Sequence, residues 1–131
     1  MPESCMPFLM FTGQASEALD FYVETFTDAR VESVENYGEG EQMPPTAVKA
    51  AIFTVAGQRI RAFDSPPVHA FTFTPSISFF VECADEDEIR TLAAKLADGG
   101  GVMMPLNSYG FSTLFAWVAD RFGVSWQLNL A

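Results

Sequence analysis

Asp120-Arg121-Phe122-Gly123-Val124-Ser125-Trp126-Gln127-Leu128-Asn129-Leu130 is the stretch whose reading decides the fold. Its first four residues spell a turn. The rest alternates apolar and polar residues, the pattern of a strand with one face in a core. Val124, Trp126, Leu128 and Leu130 are expected on the core face. Ser125, Gln127 and Asn129 are expected on the other, lining whatever cavity the protein keeps.

The chain around this strand has 131 residues, 49% of them apolar, with 13 Phe and 2 Trp. That length predicts one domain that buries roughly two thirds of its unfolded surface. Seventeen acids against seven bases leave a net charge of −10, which repels polyanions, so nucleic acid is excluded as a partner. No apolar run approaches the roughly 18 residues of a membrane span, and no basic-then-apolar leader opens the chain. The expected location is cytoplasmic, with no membrane partner. Cys5 and Cys83 have neither CxxC nor Cys/His spacing and are expected to be two buried free thiols.

Working back from the tail, Cys5–Phe11 reads as a buried strand and Glu17–Phe26 as a helix with Leu19, Tyr22, Val23 and Phe26 on its apolar side. Ala29–Tyr37 is an exposed strand, and Gly38–Pro45 a Gly/Pro/acid-rich loop that is a candidate lid. Ala47–Ala56 and Arg59–Phe63 form a hairpin turned at Gly57-Gln58. Ser65–Pro75, rich in proline, is the hinge. The pattern then restarts. Ser76–Cys83 is a strand, and Asp85 with Glu88 has capping-box spacing for a helix bearing Ile89, Leu92, Ala93 and Leu96. Gly99-Gly100-Gly101 ends that helix, and Val102–Leu106, Gly110–Ala119 and Val124–Leu130 are strands.

The halves match at an offset of 70: Leu9 with Phe79, Phe11 with Val81, Leu19 with Ile89, Tyr22 with Leu92, Val23 with Ala93 and Phe26 with Leu96. Near the ends, Gly57 matches Gly123, Ile60 matches Trp126 and Ala62 matches Leu128, at an offset of 66. A βαβββ unit is used twice. One such unit leaves a sheet face uncovered by its helix, so two units curling that face around a shared cleft is the economical packing. The fold class is α+β, with module 1 at about 4–64, a hinge at 65–75 and module 2 at about 76–131 of a single 1–131 domain.

Four stretches carry a resemblance: Pro7–Phe26 (PFLMFTGQASEALDFYVETF), Phe53–Asp64 (FTVAGQRIRAFD), Phe71–Ile89 (FTFTPSISFFVECADEDEI) and Trp117–Leu128 (WVADRFGVSWQL). They resemble the vicinal oxygen chelate superfamily of glyoxalase I, bleomycin-resistance proteins and extradiol dioxygenases. The nearest branch is the PhnB-like proteins, often labelled 3-demethylubiquinone methyltransferase-like. Metal-using members hold a divalent ion with His, Glu or Gln from the first and last strands of each module. The matching positions here are Met6 or Pro7, Arg61 or Ala62, Ser76 and Gln127, and only Gln127 is an ordinary ligand. The resemblance therefore implies no standard metal site and no cofactor. If a metal binds at all, Gln127 is the residue to hold it. The methyltransferase label lacks support too, because no Gly-rich strand–helix loop is present to seat a nucleotide-like cofactor.

Alternation places Phe8, Met10, Arg59, Arg61, Ser76, Ser78, Phe80 and Gln127 on cleft-facing sides, joined by Met6, Ser125 and Asn129. Either the two walls pack together there, or aromatic walls with polar anchors hold a ligand. A buried Arg59 or Arg61 requires a carboxylate, with Asp64 and Glu82 as candidates, or an anionic ligand. His69, the single histidine, and the two serines lack the partners that general-base or nucleophilic catalysis needs. The expected function is binding of a small organic molecule by a homodimer whose apolar first strand is a candidate interface. The alternative is a metal-dependent lyase, transferase or dioxygenase with an unusual site around Gln127.

Overall fold

Strand and helix signals resolve into two compact units, Met1–Thr72 and Phe73–Ala131, in a computed structural model that describes all 131 residues. The first unit runs β1 (Phe8–Phe11), α1 (Ala15–Thr25), β2 (Ala29–Asn36), β3 (Val48–Val55) and β4 (Gln58–Asp64). The second repeats it as β5 (Phe79–Glu82), α2 (Glu86–Ala97), β6 (Gly101–Asn107), β7 (Leu114–Ala119) and β8 (Ser125–Leu130). Their sheets have the same order, β1-β4-β3-β2 and β5-β8-β7-β6, with the first pair parallel and the others antiparallel. This is the α+β architecture of two βαβββ modules. Neither helix is long and apolar enough to cross a membrane.

Each helix buries one stripe. On α2 the stripe is Ile89, Leu92, Ala93 and Leu96, and Asp85 caps the helix by accepting the Glu88 N–H at 2.8 Å. The Glu88 carboxylate reaches back to the Ala84 N–H at 2.9 Å, one residue before the usual capping-box donor. On α1 the buried residues are Ala15, Ala18, Leu19, Tyr22 and Thr25, and the Tyr22 ring stacks on Phe53 at 5.7 Å. Val23, expected on that stripe, is 39% exposed, because Ala15 and Ala18 rotate the buried face away from it.

Several boundaries move. β1 starts at Phe8, and both Phe8 and Cys5 are exposed, so the first strand is not a buried one and only Cys83 is a buried thiol. Pro7 precedes the ladder, where its missing N–H does no harm, and its carbonyl accepts the Arg61 N–H at 2.9 Å. β5 starts at Phe79, so Ser76 and Ser78 precede the strand. β7 starts at Leu114, after Gly110 turns the chain at φ +98°. The β3–β4 turn is Ala56-Gly57, with φ +49° and +85°, and not Gly57-Gln58, because Val55 already pairs with Gln58.

The pairing registers also correct the repeat. Leu9 lies opposite Ala62, whereas Phe79 lies opposite Trp126. The counterpart of Ala62 is Leu128, whose partner is Val81. The offset of 70 for Leu9 and Phe79 and the offset of 66 for Ala62 and Leu128 therefore do not both hold across one strand pair. The two strand–helix connections are equally long, Thr12-Gly13-Gln14 and Cys83-Ala84-Asp85.

Asp64 lies fully buried at the end of β4. Its Oδ1 accepts the N–H groups of Gly13 (2.8 Å) and Ala15 (3.0 Å), and its Oδ2 accepts that of Val48 (2.8 Å). Gln14, the α1 N-cap, makes no side-chain cap of its own, so Asp64 serves the helix start from across the sheet. In urea denaturation, Asp64→Ala should lower stability by about 3 kcal/mol, since three backbone donors, two of them buried, lose their acceptor. Ala56→Asn should raise it by up to about 1 kcal/mol, relieving a left-handed alanine in a type I′ turn.

Candidate functional site

Because each helix packs on one side of its own sheet, alternate strand residues project to the face away from it. In the second unit one row across that face is Phe80, Gln127, Trp117 and Met104, from β5, β8, β7 and β6. The next row is Glu82, Asn129, Phe115 and Asn107. Gln127 thus sits mid-sheet, half-buried. Its Nε2 donates to Ser78 Oγ at 3.4 Å, and Ser78 Oγ lies 2.6 Å from Ser125 Oγ, which also accepts the Trp117 indole N–H at 2.8 Å. Asn129 donates to Glu82 at 3.0 Å. The Gln127 amide N–H, the Trp117 indole N–H and the two serine hydroxyls are thus bonded among themselves.

Beside this network lies an aromatic cluster. Phe115 has Phe111 edge-on at 5.0 Å, Tyr109 edge-on at 6.2 Å and Phe80 at 6.4 Å. The Tyr109 hydroxyl donates to the Pro105 carbonyl, which fixes the loop that carries Tyr109 and Phe111. Alternation in Leu114–Ala119 marks Phe115 and Trp117 as sharing a face, a signal already in the sequence. Tyr109 and Phe111 sit in a loop, where no period assigns a face.

In the first unit, Phe8, Met10, Arg59, Arg61 and Phe63 share the face away from α1. Phe8 and Phe63 are 4.9 Å apart. Neither Asp64 nor Glu82 serves the arginines, because one binds backbone N–H groups and the other Asn129. Arg59 instead pairs with Glu32 at 2.9 Å, and Arg61 makes no ion pair. Of the eight sequence candidates, Phe8, Met10, Arg59 and Arg61 thus share one face, and Ser78, Phe80 and Gln127 another. Ser76 lies outside both, its hydroxyl 2.7 Å from that of Thr74.

The donor set does not suit a divalent ion. No three His, Cys, Asp or Glu side chains are grouped to hold a metal, and the neighbours of Gln127 are hydroxyls, rings and amides. His69 is exposed and stacked on Phe71 at 4.8 Å. Cys83 is pushed up to about 11 by burial first and then by the Glu88 charge, so it stays a thiol at neutral pH.

Two mixed four-stranded sheets, each backed by a helix, give the chain the fold of a solved glyoxalase-related enzyme from Fulvimarina pelagi, to which it is 13% identical at a TM-score of 0.63. A family model described as "3-demethylubiquinone-9 3-methyltransferase" matches residues 3–129, and the chain belongs to that family. It is 44% identical to a solved structure from Bacillus cereus described as a putative 3-demethylubiquinone-9 3-methyltransferase, PhnB protein. That match covers 98% of this chain and 100% of the other, at a TM-score of 0.93. Protein YjdN of Escherichia coli K12 is 26% identical over 137 residues, covering 95% of this chain and 92% of its own. The fosfomycin resistance protein FosX of Listeria monocytogenes is 11% identical, covers 100% and 94% of the two chains at a TM-score of 0.65, and shares the fold.

The thiols give a test of the local packing. A disulfide-exchange reagent at pH 8 should modify Cys5 within the mixing time of a native sample and Cys83 only after denaturant is added. Two equally fast thiols would contradict a buried, raised-pKa Cys83.

Proposed function

We propose that this protein binds a small organic molecule on its uncovered sheet faces, without a standard metal site. It would act in the cytoplasm, as a homodimer to which the exposed Phe8 of β1 contributes apolar surface. One observation carries the reading. The row through Gln127 is hydrogen-bonded internally through Ser78, Ser125 and Trp117, while Phe80 beside it remains 56% exposed. Solvation alone gives no reason to fix a polar row next to an exposed ring, whereas a binding surface uses both, rings for contact and fixed dipoles for orientation.

The family's methyltransferase name finds no support in the strand–helix connections. β1 reaches α1 through Thr12-Gly13-Gln14, and β5 reaches α2 through Cys83-Ala84-Asp85. Neither is the Gly-rich loop that seats a nucleotide-like cofactor.

Thermal melts with a panel of organic cations, neutral aromatics and organic anions should show stabilisation by at least one class, since a ligand selective for the folded state raises the melting temperature. A panel with no shift would remove the binding reading. Elemental analysis of protein purified without chelators should find no stoichiometric divalent ion. One that is present, and lost in Gln127→Ala, would move the assignment to a metal-dependent enzyme.

A further inference from the structure

We propose that the aromatic cluster of Phe80, Tyr109, Phe111 and Phe115, together with Glu82, binds an organic cation: a quaternary or protonated amine attached to an apolar body. The inference rests on reading the uncovered face of the second unit as a ligand surface, and it names the ligand's chemistry.

The rings are gathered and unevenly covered. Phe115 is buried at 5% exposure and forms the base, while Phe80 (56%), Tyr109 (38%) and Phe111 (63%) expose their rings around it. Three exposed rings within about one ring diameter of a buried one are a large contiguous apolar surface for a chain this size. They are also fixed in place: Phe80 and Phe115 stand on strands, and Tyr109 is tied to Pro105 through its hydroxyl. A preformed surface loses little conformational entropy when a ligand lands on it.

Charge selects the ligand class. Glu82 lies two positions from Phe80 on the same side of β5, so its carboxylate emerges about 7 Å along the strand from that ring. Asn129 donates one hydrogen bond to it, and no base pairs with it. The bases of the second unit are elsewhere: Arg90 and Lys95 on α2, and Arg121 beside Asp98. Ring faces carry negative electrostatic potential and attract a cation within about 6 Å. A positive group over the rings would feel both that potential and Glu82, whereas an anion would be repelled by both. The net charge of −10 draws cations to the molecule as a whole.

The test uses isothermal titration of the full chain with three probes of similar size: benzyltrimethylammonium, benzyl alcohol and benzoate. The expected result is that the ammonium binds tightest and weakens with added salt, and that benzoate does not bind. Glu82→Gln, which retains an acceptor for Asn129, and Phe111→Leu, at an exposed ring, should each weaken the ammonium by about fivefold. Circular dichroism checks that both variants remain folded. Equal binding of the alcohol and the ammonium would overturn the cation assignment while leaving the face as a ligand surface. No binding of any probe would overturn both. If Phe111→Leu splits a dimer in light scattering and leaves ammonium affinity unchanged, the cluster is an interface between copies and not a cation site.

Discussion

A buried carboxylate with three backbone donors is the constraint on which the first unit depends. Asp64 is removed from water, and a charge there is tolerable only because Gly13, Ala15 and Val48 replace the lost hydration. The same residue closes further links. The Tyr37 hydroxyl donates to its carbonyl at 2.6 Å, and the next N–H, that of Ser65, donates to the Phe11 carbonyl at 2.7 Å. The ends of β1, β2 and β4, the start of β3 and the first turn of α1 therefore meet at one residue. In the second unit Asp120 does a related task inside a single turn. It accepts the Phe122 and Val124 N–H groups and the Trp126 indole N–H, so the sharp Asp-Arg-Phe-Gly turn and the largest buried ring share one anchor.

With the helix-side faces settled by packing, the opposite faces are free to differ, and they do. The first unit sets Arg61 and the Arg59–Glu32 pair beside Phe8 and Phe63. The second has no base there, and offers three amides, a carboxylate, two hydroxyls and a run of rings. Duplication thus preserved the scaffold while chemistry diverged at matching positions, as with Arg61 and Gln127. The Gly38–Pro45 loop is folded on itself. Glu41 takes the Gly38 N–H at 2.6 Å and pairs with Lys49 at 2.8 Å, and the pairing lowers the glutamate's pKa and raises the lysine's.

Periodicity made most of the elements legible. The α2 stripe, the tail strand and the duplicated unit all follow from short-range spacing in the sequence. What stayed hidden depends on distant partners or on conformation. Asp64 reads as an ordinary strand-end acid, because its donors lie 16, 49 and 51 positions away. Sequence alone therefore makes it a candidate partner for arginine. Phe8 and Cys5 belong to an apolar run, yet the ladder begins late and both are exposed. The matching of Leu9 with Phe79 and of Ala62 with Leu128 follows residue similarity, and sheet register, which no local pattern reports, is compatible with only one of the two. At the candidate site, Gln127, Phe80 and Ser78 were legible from alternation. Tyr109 and Phe111 were not, since a loop has no period.

The capping of α2 by its own first turn and of α1 by Asp64 carries a consequence for the order of folding. α2 finds its cap within five residues, from Ala84 to Glu88, so its first turn can nucleate from local sequence alone. α1 must wait until the chain has closed a loop of some fifty residues to bring in Asp64, and the entropy of that closure delays it. Two copies of one topology thus reach their helices by different routes, one from within and one from afar.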